Sequence, residues 1–259
     1  MELERSETVL NIIPSMATEP NPDFKQTKRR RAESNSAWLE RNLKTLAGED
    51  SAKGEAYLVL LGGRMKADFH VRVAQGHLRH DMSPSHWSHV ALLQGSGPTK
   101  RGALWEISLE PKGGFGYPPS DNGVQSGHLK VYASKNQYPN VAVMRLPVKL
   151  SEMRKILKRF KRQRADLDCV ELTLIWLGYV WGVGRAVNPL LDGYGTPSAV
   201  FIEALASACQ YDLTPGLESR ASCPEAIWQA ARYWHEFHGS RAESSWIRGM
   251  WHTEHFLGK

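Results

Sequence analysis

Two apolar patterns follow one another along this chain, and their order limits the fold more than any other feature. Between residues 54 and 146 apolar residues come in short runs closed by glycine or proline; after Pro147 they recur at helical spacing. Gly54–Leu61, Ser88–Leu93, Ala103–Leu109 and Val141–Leu146 read as buried strands. Phe69–Val73 alternates as a half-exposed strand would, and Leu129–Tyr132 reads as a further short strand. Beyond Pro147, Leu150, Met153, Ile156, Leu157 and Phe160 mark an amphipathic helix over Lys149–Arg164. A nearly all-apolar helix from about Leu167 to Trp181 is expected to be central. A third helix opens at Pro197 and a fourth at Ser222-Cys223-Pro224-Glu225, where Ser222 and Glu225 have capping-box spacing, running to about Phe237. Strands first and helices second predict an α+β fold, an antiparallel sheet packed against helices, and not a doubly wound sheet.

The 259 residues carry a formal charge of +6, which permits an anionic partner without requiring one. Residues 1–50 are rich in Glu, Asn, Pro and Ser and hold the run Lys28–Arg31. They read as a mobile polar extension with room for a short amphipathic helix near Ala37–Leu46; 54–240 reads as the folded domain and 241–259 as a tail. Cys169, Cys209 and Cys223 are odd in number and widely spaced, which argues against a disulfide framework or a structural zinc site and for a reducing compartment. The start Met1-Glu2-Leu3-Glu4-Arg5 lacks signal-peptide character, and the apolar stretch Leu172–Val183 is too short to span a bilayer. The expectation is a soluble, cytoplasmic protein with no membrane span and no cofactor.

The segment Gly193–Leu205 carries the most chemical information. It reads as a tight glycine turn opening into a helix, with Thr196 as the cap and Pro197 at the first helical position. Ser198 then sits in the first turn, where unpaired N–H groups and the positive end of the helix dipole converge. Upstream, His89 and Glu106 lie on two successive strands.

This order, a histidine strand, a second polar strand, then helices and the turn into the Ser198 helix, resembles the circularly permuted branch of the NlpC/P60 superfamily, papain-like hydrolases and acyltransferases. The motifs are Ser88–Leu93, Trp105-Glu106-Ile107, Tyr138–Leu146 and Pro197–Glu203, over roughly residues 54 to 240. The resemblance implies a papain-like fold, His89 as general base and Glu106 as the group orienting its imidazole. It also implies a nucleophile at the helix start, where the family carries cysteine. Here Pro197 stands in the cysteine's place and Ser198 follows it. Two functions follow as expectations. In one, Ser198 attacks an amide or acyl bond of a peptide-like or acyl substrate through a covalent intermediate. In the other, the scaffold has lost its chemistry and binds nucleic acid or an acidic protein partner.

Cys169 is the rival nucleophile, since Asp168-Cys169-Val170 also puts a side chain near a helix start. Lys155, Lys158, Arg159 and Arg162 on one helix face are the candidate contacts to nucleic acid or another anionic partner, without base recognition. His77, His80, His86 and His89 have repeated spacings, and His252 and His255 form a second pair, but packed or exposed histidines are expected and no metal site is called.

Overall fold

The computed structural model describes residues 24–47, 55–94, 103–110, 121–164, 168–182, 186–238, 248–253 and 255–256. Its centre is β2 (Glu55–Gly62), whose successive side chains go to opposite faces of the sheet. Ala56, Leu58 and Leu60 enter one apolar cluster, and Tyr57, Val59 and Leu61 enter another. A strand buried on both faces reads as the unbroken apolar run seen in the sequence.

Antiparallel neighbours flank it: β3 (His89–Gln94) on one side and β6 (Asn140–Lys149) on the other. β3 continues to β4 (Leu104–Glu106) and β5 (Gln125–Gly127), while β6 continues to β7 (Arg248–His252) and then β1 (Phe24–Gln26). The fold is α+β, and within the seven-stranded sheet only β1 and β7 run parallel among the described residues.

Helices cover both faces. α1 (Asn35–Ala47) buries Trp38, Leu39 and Leu43 against the Tyr57 face. On the other face lie α3 (Leu150–Arg162), α5 (Pro197–Ala208) and α6 (Pro224–His238). α2 (Lys66–Ala74) and α4 (Cys169–Val180) share a smaller cluster built on Val71, Trp176 and Val200. The packed body is therefore wider than residues 54–240, because α1, β1 and β7 belong to it. Among the described residues no helix is long and apolar enough to cross a membrane.

Several local expectations are corrected. Phe69–Val73 lies inside α2: Ala67, Val71 and Ala74 are buried at helical spacing, and Arg72, polar in an alternating reading, is fully buried. Its guanidinium donates to the carbonyls of Ser85 (2.6 Å), Gly63 and Phe256 (both 3.3 Å). Leu129–Tyr132 is a short 3-10 turn. α4 is not central, since Leu174 is 63% exposed, although Asp168 caps it as a helix start should be capped. The capping box at Ser222 does not form. Glu225 instead accepts a bond from Ser85 Oγ at 2.6 Å and one from Gln229, while Ser222 Oγ is buried without a partner among the described residues.

Candidate active site

The β3–β4 register pairs Leu92 with Trp105 and Leu93 with Leu104. Extending it sets Glu106 opposite Ala91, two residues along from His89 on the same face. Diagonal neighbours on a twisted antiparallel pair are within reach of long side chains. The outcome is a buried pair in which His89 Nε2 meets Glu106 Oε2 at 2.7 Å.

A third member joins from the 3-10 turn. Tyr132 donates its hydroxyl to the same Glu106 oxygen at 2.6 Å, and its ring stacks on the His89 imidazole with centroids 5.8 Å apart. Burial, followed by the Glu106 carboxylate, drives the Tyr132 phenol well above its ordinary range, so it stays a donor. His89 is thus held by a bond and a stack, and Nε2 is committed to Glu106. Nδ1 is the ring nitrogen that Glu106 does not engage. Nothing in the local sequence marks Tyr132; its partner lies 26 residues away.

The Ser198 side of the site is built by a rigid turn. Gly193 adopts a left-handed backbone with φ of 78°, which glycine takes without strain. At Gly195 a Cβ would come within 2.2 Å of the Ser222 carbonyl oxygen and 2.7 Å of Ala221, so the close approach needs glycine. Gly195 N–H donates to the Arg220 carbonyl at 2.7 Å, Thr196 N–H to the Ser222 carbonyl at 2.9 Å, and Trp176 Nε1 to the Gly195 carbonyl at 2.7 Å. α5 then starts at Pro197, as expected, and packs against β3. Thr196 occupies the cap position but makes no capping bond; its Oγ1 is buried without a partner among the described residues.

Both sides meet at one narrow cavity of about 30 Å³. Its lining includes His89 and Tyr132 together with Thr196, Pro197 and Ser198, and also Asp68 of α2 and Ile107–Glu110 after β4. Ser198 is 3% exposed, which places its hydroxyl inside the molecule at the helix start. Ser198 and His89 therefore line the same space, with Glu106 directly behind His89. The arrangement brings a hydroxyl, an anchored imidazole and the start of a helix to one small volume.

The rival does not share this setting. Cys169 lies in the main core, its N–H held by Asn122 Oδ1 at 3.0 Å, and burial raises its thiol to about 12, opposite to what a nucleophile needs. Cys223 is likewise buried and raised to about 12, and Cys209 is raised by burial. Lys155, Lys158, Arg159 and Arg162 are exposed along α3, away from the cavity.

The histidines divide. His77 and His80 are exposed, whereas His86 packs on His255 with ring centroids 4.0 Å apart, and His255 on His252 at 4.5 Å, beside Trp87 and Trp228. His252 and His255 are thus packed rather than part of an exposed tail. Among the described residues no group of three or more His, Cys, Asp or Glu side chains is arranged to hold a metal ion. Comparison with protein-family models, with curated proteins and with solved structures finds no match to this chain.

Proposed function

We propose that this protein is a papain-like hydrolase or acyltransferase working through Ser198. The observation that carries the reading is the shared cavity, with Ser198 in the first turn of α5 and an imidazole already fixed by Glu106 and Tyr132. Ser198 Oγ attacks the carbonyl carbon of an amide or ester, and its proton passes to His89 Nδ1. The imidazolium is stabilised through Nε2 by Glu106, and N–H groups at the start of α5 face the oxyanion. His89 then returns the proton to the leaving amine or alcohol. Water or another acceptor, deprotonated by His89, releases the acyl group and restores Ser198.

A fluorophosphonate probe tests this. Labelling is expected at Ser198 and is expected to vanish in Ser198→Ala and His89→Ala. Labelling that survives Ser198→Ala and disappears in Thr196→Ala would move the attack to the orphan hydroxyl next to it. Absence of labelling in a protein with native melting behaviour would remove the enzymatic reading.

Binding without chemistry is the second reading, favoured by the exposed cations of α3 and by Pro197 at the family's cysteine position. Each phosphate contact releases about one counterion, so neutralising Lys155, Lys158, Arg159 and Arg162 together should lower the slope of log affinity against log salt by roughly three to four. A duplex oligonucleotide titration checks this, and an unchanged slope would assign the face to solvent.

A further inference from the structure

We propose that a second cavity, between α3, α5 and the turn at Ser219–Ala221, binds a small amphiphilic anion, a carboxylate carried on an apolar body. The groove has a volume of about 520 Å³, within the range of small-molecule sites, and shares no lining residue with the Ser198 cavity. Ile156 and Phe160 form one wall, and Ala204 on α5 is small enough to leave the space open. Phe160 packs against Phe201 with centroids 5.4 Å apart, so the apolar wall is set before any ligand arrives.

The polar part of the lining selects the head group. Arg159 of α3 and Arg220 of the Ser219–Ala221 turn both line the groove, and the planar donor fork of arginine matches a carboxylate. Arg220 is steadied over the Tyr194 ring at 5.8 Å. Glu218 lies in the same lining and opposes a second negative charge, which favours a monoanion over a polyphosphate. A chain or ring bearing one carboxylate satisfies both the wall and the rim; a bare anion or a bare hydrocarbon satisfies one.

The test is an amide-shift titration of the full ¹⁵N-labelled protein with sodium decanoate, decylammonium chloride and inorganic phosphate. Decanoate should shift the amides of Ala204, Ser207 and Ser219 saturably, while decylammonium and phosphate leave them in place. Arg159→Ala and Arg220→Ala, both at exposed positions, should each weaken decanoate binding roughly tenfold, the loss expected for one charged hydrogen bond. Decylammonium binding as tightly as decanoate would reduce the groove to an apolar trough. Phosphate binding as tightly would reduce it to a basic patch. Either result overturns the proposal, as would no shift at these amides, or undiminished decanoate binding in the double variant.

Discussion

Replacing Glu106 by Ala is expected to slow fluorophosphonate labelling of Ser198 by about 10⁴-fold, the scale on which a triad carboxylate acts. Replacing it by Gln is expected to cost less, about 10²–10³-fold. The difference comes from geometry: His89 Nε2 and the Tyr132 hydroxyl both bond to Glu106 Oε2. A glutamine with its carbonyl oxygen in that place keeps both bonds and the His89 tautomer. What it loses is the negative charge facing the imidazolium, about 4 kcal/mol for charges some 4 Å apart at the effective dielectric of a protein site, at about 1.4 kcal/mol per tenfold in rate. Alanine loses the charge, frees the ring and strands the Tyr132 hydroxyl. Stopped-flow labelling of the three proteins, with melting curves to confirm folding, checks this ranking. Equal rates in all three would remove Glu106 from the mechanism.

Acidification from pH 6.5 to 4.5 is expected to lower stability by roughly 3 kcal/mol, or about 6–12 °C in melting temperature. Burial, with Arg79 and Arg72 nearby, pushes His86 down to about 4. Burial and the neighbouring histidines push His255 down to about 3, and burial lowers His252. The unfolded chain takes up these protons first, so the histidines' contribution is complete above the ordinary imidazole value and is lost as pH falls toward 4 and 3. Glu203 acts in the opposite sense. Burial raises its carboxyl to about 7 despite bonds to Oε1 from Thr214 N–H (3.1 Å) and Oγ1 (2.9 Å), and Oε2 has no partner among the described residues. Its contribution is complete below the ordinary carboxylate value and is lost as pH rises toward 7. Glu203→Gln keeps the Thr214 acceptor and should therefore stabilise the protein above pH 7 and change little at pH 4.5. Chemical denaturation of both proteins across this range checks both arms; a flat profile for the parent would mean that the histidine cluster is open to water.

The parts of the fold visible in the sequence were those in which one residue's neighbours announce its role. β2, β3 and β6 are apolar runs because both faces are covered, and α3 and α5 carry their own periodicity and start signals. His89 and Glu106 were also accessible, since they stand on consecutive strands of one antiparallel pair. α2 looks like a strand in the sequence because five residues are too few to separate a period of two from one of 3.6 when the polar member, Arg72, is itself buried. β1 and β7 escaped notice because Phe24–Gln26 and Arg248–His252 have little apolar pattern of their own; pairing makes them strands. Tyr132 and the unpaired Thr196 hydroxyl are products of tertiary approach, which no local spacing encodes.

The position of β7 also sets a timetable for biosynthesis. It lies between β1 and β6, and β1 pairs with no other strand among the described residues. A nascent chain in which Arg248–His252 is not yet free has the β2–β6 block ready to pair, yet one flank of β6 stays open. Phe24–Gln26, translated before β7, must wait for it. Joining segments so far apart in sequence is a slow, non-local event, and an uncovered strand flank invites pairing with another molecule meanwhile. Ribosome-bound intermediates stalled before β7 should therefore be the species that recruit chaperones, and release of β7 should be the step that frees them.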